Sequence, residues 1–242
     1  MLKKIPHMPD EEYRKLPYIS VTQVCRRAVS KSAWEYHNTP PEETSSMLLG
    51  SLFDAMVTGV GLEKFKRSDT ATKTAKAYKQ EQEAMNAEGI KLVTPSEWAK
   101  AEAMAFSFKT HPIVKGKLFN AEFQVSYVDE ENNIKGRLDV LQHDMFDSCV
   151  WDIKTCSKNF IYAIKDYGYD MQLAAYMRMA GTLCGGWFVV DTTPPYEVSL
   201  YQIKTSTFHQ ALEKFDEHHL LLKEELLDET IKNKRNEEIQ YV

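Results

Sequence analysis

Ile134-Lys-Gly-Arg-Leu-Asp-Val-Leu141 and, a few residues later, Val150-Trp-Asp-Ile-Lys-Thr155 decide how this chain is read. Both stretches alternate apolar and polar residues, the period of a β-strand. In the first, Ile134, Leu138 and Val140 share a face, and Arg137 and Asp139 share the opposite one. In the second, read as a strand over Cys149 to Lys154, Trp151 and Ile153 lie on one side and Asp152 and Lys154 on the other. If the two strands are neighbours, two carboxylates and an ammonium group converge on one spot.

Upstream, Ala121 to Val128 also alternates. Phe123, Val125 and Tyr127 point one way, and Glu122, Gln124 and Ser126 the other. Asp129 to Asn133 reads as a hairpin loop joining this strand to that of Asp139. Glu122 is therefore a candidate third acid, although a one-residue shift in register would turn it away. Downstream, Thr155 to Asp166 reads as a connection carrying Lys158 and Lys165. A helix over Tyr169 to Ala180 follows, closed by Gly181, with Gln172 and Tyr176 four apart on one face. Gly185 to Asp191 is continuously apolar, which suits a central strand. Thr192 to Pro195 is a turn, Glu197 to Lys204 a strand. From about Thr207 the chain is a charged helix that packs through residues such as Leu212, Phe215 and Leu222.

The N-terminal half is helical in pattern. Residues 1 to 17 hold three prolines and read as an irregular arm. A short helix follows, with Ser20 or Thr22 as N-cap. Its Arg26 and Arg27, with Lys31, form either a phosphate-contacting cluster or a solvated face, and Pro40-Pro41 ends the segment. Residues 42 to 58 read as a buried helix, opened by Glu42 and Glu43 in its first turn. Met47, Leu48, Leu49, Leu52, Phe53, Met56 and Val57 cover most of its circumference, and Gly50 allows a close approach. Asp54 is the odd residue there: a carboxylate among apolar neighbours needs a cation, hydrogen bonds or a metal. Residues 59 to 73 read as a loop, Thr74 to Glu88 as a polar helix capped by Gly89. Thr94 and Pro95 then start a helix that stops at His111-Pro112, with Met104, Phe106 and Phe108 expected in the core.

The 242 residues can bury a substantial core in one domain, divided into a helical part (about 18–112), an α/β part (about 118–205) and a C-terminal helix (about 207–237). No apolar run approaches a membrane span of roughly 20 residues, and no signal peptide is visible, so a cytoplasmic protein is expected. Cys25, Cys149, Cys156 and Cys184 include no Cys-x-x-Cys pair and are expected as reduced thiols. The net charge of −5 rules out bulk basicity as a means of binding nucleic acid, but local basic patches can still contact phosphate.

Phosphodiester hydrolysis at neutral pH needs an activated water, neutralised phosphoryl oxygens and a stabilised leaving oxygen. One or two Mg²⁺ ions held by a few carboxylates can supply all three. Asp-x-Lys alone is weak, because such triplets occur by chance. Gly136-Arg-Leu-Asp139, Asp152-Ile-Lys154-Thr155 and Gln172-Leu-Ala-Ala-Tyr176 together are far more specific. They resemble the PD-(D/E)xK nuclease superfamily, most closely its RecE (exonuclease VIII) and RecB-like branch, which includes phage recombination exonucleases. The resemblance spans about residues 18 to 205 and includes Ile19-Ser20, Leu49 to Asp54, His111-Pro112 and Glu122.

The resemblance implies a restriction-endonuclease-like α/β (α+β) core, a mixed central sheet flanked by helices. It implies that Asp139, Asp152 and the carbonyl of Ile153 bind Mg²⁺, with Mn²⁺ as a substitute, and that Lys154 assists the attacking water. Glu122 would be an additional acid, and Gln172 and Tyr176 would orient the lysine, the DNA or the edge of the site. Asp54 stands where the family usually has a metal-binding histidine. An iron–sulfur cluster, found in one sub-branch, is excluded by the scattered cysteines. The implied activity is exonucleolytic, 5′→3′ on double-stranded DNA ends, yielding single strands for recombination. A single-strand annealing protein and a ring-shaped homo-oligomer are the implied partners. An endonuclease or single-strand nuclease of the same fold, and an inactive DNA- or partner-binding module, are the alternatives.

Overall fold

The computed structural model describes residues 1–6, 8–29, 44–143, 147–157 and 159–239, with side chains through residue 228. Lys31, the segment through Pro40-Pro41, the acids Glu42 and Glu43, and Lys158 lie outside the described residues. In chain order the elements are β1 (Leu2–Ile5), α1 (Asp10–Lys15), β2 (Ile19–Ser20), α2 (Val21–Val29), α3 (Ser45–Thr58), β3 (Phe65–Arg67), α4 (Lys76–Ala87), β4 (Lys91–Val93), α5 (Pro95–Thr110) and α6 (Pro112–Lys117). They continue with β5 (Ala121–Asp129), β6 (Ile134–His143), β7 (Ser148–Cys156), α7 (Phe160–Asp166), α8 (Tyr169–Ala180), β8 (Cys184–Asp191), β9 (Val198–Gln202) and α9 (Thr205–Ile239).

The central sheet runs β1-β5-β6-β7-β8-β9, with β2 also beside β6. It is mixed and mostly antiparallel; β7–β8 and β2–β6 are its parallel pairs. The parallel β7–β8 step needs a crossover, and α7 and α8 supply it. One face of the sheet buries Leu138, Val150 and Trp187 against α2, α8 and α9, where Val24, Met177 and Phe215 are fully enclosed. The other face buries Val140, Trp151 and Phe188 against α3 and α5. There Phe53, Phe108 and Phe188 meet edge to face, with ring centroids 5.9 and 5.6 Å apart. The fold is thus the mixed α/β arrangement that the sequence implies.

Local chemistry sets the element ends. Thr94 and Glu97 form a reciprocal capping box at the start of α5, with Pro95 in its first turn. Gly168 and Gly181, both at positive φ, bracket α8 at its expected bounds. The start of α3 differs from expectation: Thr44 caps it by accepting the Met47 N–H, and its first turn carries no acid.

Several other expectations are corrected. Residues 1–17 are not an irregular arm, because β1 pairs with β5 and α1 follows. Cations of the motif strand hold this segment down. Lys135 Nζ donates to the carbonyls of Tyr13, Arg14 and Leu16, and Arg137 reaches Asp10 Oδ1 at 3.2 Å while lying 4.2 Å from the Tyr13 ring. Residues 59–73 include β3, which pairs in parallel with β4. Phe106 is not core but 71% exposed, since only Met104 and Phe108 of that trio face inward on α5. The connection after β7 contains α7, capped by Asn159. Cys149 and Cys184 are not reduced thiols: the β7–β8 register sets them side by side and they form a disulfide, whereas Cys25 and Cys156 remain thiols. Arg27 pairs with Glu225 of α9 rather than facing open solvent. No described helix is long and apolar enough to cross a membrane.

Candidate active site

Asp139 stands where the sheet parts. The β6–β7 ladder runs from His143/Ser148 to Val140/Trp151 and stops there. One residue beyond, the Asp139 side chain takes over: its Oδ2 accepts the Ile153 N–H at 2.9 Å. A carboxylate thus replaces the partner carbonyl that the ladder would have supplied, and the strands can diverge without orphaning that N–H.

The other side of β6 is irregular at the same level. Phe123 pairs with Val140 and Val125 with Leu138, so Gln124 and Asp139 face each other without pairing. Gln124 has φ of 51°, in the left-handed region. The break reverses the alternation while preserving the register. Phe123 joins the α3/α5 side, whereas Val125 and Tyr127 join the α2/α8/α9 side. On β6, Ile134 and Leu138 share that second side but Val140 lies on the first. The expected common faces for Phe123/Val125/Tyr127 and for Ile134/Leu138/Val140 are corrected accordingly. A period of two holds only while every residue stays extended.

Five polar side chains gather at the break: Asp54, Gln124, Asp139, Asp152 and Lys154. Asp54 lies one helical turn beyond Gly50, where a Cβ would be 3.4 Å from Thr155 Oγ1, so this face of α3 rests against the end of β7. Gln124 Nε2 lies 3.3 Å from Asp54 Oδ2 and 3.5 Å from Asp139 Oδ1. Asp152 is 2% exposed, and its Oδ2 faces Lys154 Nζ at 2.5 Å. That ammonium also sits 4.9 Å from the centre of the Tyr169 ring.

The electrostatics are those of a crowded acidic pocket. Burial, then the Asp139 charge, pushes the Asp54 carboxyl up to about 8. Burial raises Asp152 to about 7; Lys154 opposes that rise and Asp139 adds to it. Burial works against the Lys154 ammonium, but Asp152 and Asp139 outweigh it and raise the group above its ordinary value. Lys154 is therefore held cationic.

The remaining sequence candidates fare differently. Glu122 is not brought to this group, a correction to its expected place beside Asp139. Its Oε1 lies 2.6 Å from Lys4 Nζ and 2.5 Å from His143 Nε2, at the far end of the β5–β6 hairpin. Gln172 and Tyr176 bond to each other at 3.2 Å, and Gln172 makes a long contact of 3.5 Å to Thr22. The Tyr176 ring packs on Gly136, where a Cβ would sit 3.1 Å from it. This explains the glycine of Gly136-Arg-Leu-Asp139: the helix needs close access to the strand just before Asp139. Ile153 contributes its N–H to Asp139. Sequence reasoning missed Gln124 and Tyr169. Gln124 read as an ordinary outward residue of an alternating strand, and no spacing rule links Tyr169 to Lys154.

The donor set fits a hard divalent cation. Asp54 Oδ1 is buried without a hydrogen-bond partner, and Asp152 Oδ2 has the lysine charge beside it but no hydrogen bond of good geometry. Buried carboxylate oxygens left in this way call for a cation. Among the described residues no three His, Cys, Asp or Glu side chains are already closed around a point that could hold an ion.

A family model described as a PDDEXK-like domain of unknown function (DUF3799) matches residues 23–242. No curated protein matches. Among solved structures, the chain is similar to one from Eubacterium rectale described as "Putative exonuclease", with 13% identity, a TM-score of 0.57, and coverage of 86% of this chain and 82% of that one. SSO0001 (18% identity, TM-score 0.37, coverage 83% and 76%) and VC1899 from Vibrio cholerae (11%, 0.32, 91% and 56%) are more distant in shape.

Proposed function

The chain belongs to this PDDEXK-like family, and we propose that it is a metal-dependent deoxyribonuclease acting at Asp139, Asp152 and Lys154. The observation that carries the reading is the parted strand pair. Asp139 bridges β6 to the Ile153 N–H, and Asp152, Lys154 and Asp54 converge on the opening. A buried salt-bridge cluster serving only stability is disfavoured, because three carboxylates face one ammonium in this pocket and one buried carboxylate oxygen has no partner.

Asp139, Asp152 and Asp54 would hold Mg²⁺, or Mn²⁺ in its place. When bound, the ion would neutralise charge on the scissile phosphate and lower the pKa of a coordinated water. Lys154, held cationic, is a poor proton acceptor. Its role is to orient the attacking water or offset charge on a phosphoryl oxygen. Tyr169 supports the lysine with the face of its ring. Tyr176 and Gln172 brace the strand before Asp139 rather than touching the lysine.

The finer reading is an exonuclease acting 5′→3′ on double-stranded ends and producing single strands for recombination. It draws on the motif resemblance and on the description of the Eubacterium rectale structure. The same resemblance supports treating residues 1–242 as one nuclease domain that works as a homo-oligomer beside an annealing protein. The test is digestion of linear and closed-circular duplex DNA with Mg²⁺ and with Mn²⁺. Loss of linear DNA alone supports the exonuclease, and nicked circles support an endonuclease. DNA binding without cleavage under either ion would overturn the enzymatic reading. Duplexes labelled at either end, bearing a 5′-phosphate or a 5′-hydroxyl, then give the polarity.

A further inference from the structure

We infer that Gln124 is a positioning residue for the cation: its amide aims Asp54 and Asp139. The inference rests on the metal-dependent reading above and deepens it.

The starting point is the backbone. A glutamine at φ of 51° occupies a strained region that non-glycine residues rarely adopt. No turn demands it, since Gln124 lies inside a nine-residue strand whose register is the same before and after. What the conformation achieves is local. It takes Gln124 out of the extended alternation, level with Asp139, and turns its side chain between two carboxylates from different elements. The distances are 3.3 Å to Asp54 Oδ2 and 3.5 Å to Asp139 Oδ1. Chemistry fixes the orientation of the amide. Toward the ionised carboxylates that a cation needs, a carbonyl oxygen would be repelled, whereas the NH₂ group has one hydrogen for each.

The consequence is a division of labour among oxygens. Asp139 Oδ2 accepts the Ile153 N–H and Asp54 Oδ2 the Gln124 amide, whose long 3.5 Å approach to Asp139 Oδ1 leaves that oxygen able to meet a cation. Asp54 Oδ1 is left buried and unpartnered. Gln124 thus selects which oxygen of Asp54 is presented and offsets part of the repulsion that would drive Asp54 and Asp139 apart. Groups that orient metal ligands in this way typically change cation affinity 10- to 100-fold when removed. A purely structural glutamine would behave otherwise, because replacing a left-handed residue with glycine relieves backbone strain.

The experiment measures Mn²⁺ binding to the intact protein without DNA, by the electron-spin resonance signal of free Mn²⁺, together with melting of the metal-free protein. Gln124→Gly should weaken Mn²⁺ binding at least ~10-fold while leaving the metal-free melting temperature unchanged or raised. Gln124→Asn tolerates the same backbone but falls one methylene short, and it should show the same loss. Wild-type Mn²⁺ affinity in both variants overturns the inference. So does a parallel fall in melting temperature and affinity in Gln124→Gly that is absent in Gln124→Asn, which would mark the glutamine as a packing residue. Wild-type protein that binds Mn²⁺ yet never cuts DNA defeats the nuclease reading alone, and the variants still decide the role of Gln124. Wild-type protein that binds no Mn²⁺ overturns both.

Discussion

The two ends of the β6–β7 pair are built on opposite principles. At the closed end, from Val140 to His143, the ladder is complete and the Trp151 indole N–H donates to buried Gln142 at 2.8 Å. The Cys149–Cys184 disulfide ties β7 to β8 there. At the open end, only a few residues away, the ladder gives way to a carboxylate, Asp152 is buried beside a lysine, and Asp54 has an oxygen with no partner. One end satisfies its polar groups and devotes its residues to packing. The other keeps unsatisfied polar groups in place, which a protein tolerates at a functional site and compensates elsewhere. The same strands can do both because rigidity at the closed end holds the geometry of the open one.

Substitutions at the two ends should therefore separate activity from stability. The largest effect is expected at the open end. Lys154→Ala should lower DNA cleavage by about 10²–10³-fold, and Asp152→Asn should abolish it in steady-state assays with Mg²⁺. Asp152→Asn should change the melting temperature little, because Asp139 still faces Lys154 once the buried Asp152 carboxylate is gone. Cleavage within tenfold of wild type in both would remove these residues from the site. The converse belongs to the closed end. A Cβ at Gly186 would lie 2.1 Å from the Tyr201 carbonyl oxygen and 2.8 Å from the Trp151 ring. Gly186→Ala should cost about 3 kcal/mol in denaturant unfolding yet preserve the cleavage rate per folded molecule. Reducing the disulfide should act in the same direction, with a loss of about 3–4 kcal/mol from loop closure and no change in metal dependence. A change in Mg²⁺ titration on reduction would show that the ends are coupled.

The least direct effect is a slope with pH. Asp54 and Asp152 bind their protons more tightly in the fold than unfolded, with values of about 8 and 7 against an ordinary value of 3.8. Stability of the metal-free protein should therefore be full below about pH 4 as far as these two groups are concerned. It should fall as pH rises through 7 and 8. Mg²⁺, which needs the ionised carboxylates, should restore more stability at pH 8 than at pH 6. Melting curves of wild type and Asp54→Asn from pH 5 to 9, with and without Mg²⁺, check the sign. A slope in Asp54→Asn as steep as wild type would contradict it.

The sequence made much of this arrangement legible, because strands and helices with one buried face leave a period in the residues. The sheet, the bounds of α8 and the nearness of Asp139 to Asp152 and Lys154 all follow from alternation and spacing. What escaped lies where periodicity has no grip. Gln124 reverses the faces of β5 through one backbone angle that leaves no mark in composition. Glu122, read by alternation, falls in with Lys4 and His143 because the reversal lies between it and Asp139. Cys149 and Cys184 meet through a parallel register across 35 residues, which spacing alone does not reveal. Residues 2–5 are too short and too polar to announce a strand.

That short first strand has a consequence for how the molecule meets its own copies. An uncovered sheet edge is a template on which another chain can add itself. Here β1 covers half of the outer edge of β5, pairing Leu2 to Ile5 with Asp129 to Ser126, and it is itself brief and carries Lys3 and Lys4. Its anchorage comes from Lys135 and Arg137, which hold the segment after it from the strand that bears Asp139. The basic residues of the motif strand are thus committed to guarding against strand addition. Cutting the chain after Leu16 would release them and bare the β5 backbone together, turning a guarded edge into one prone to aggregate.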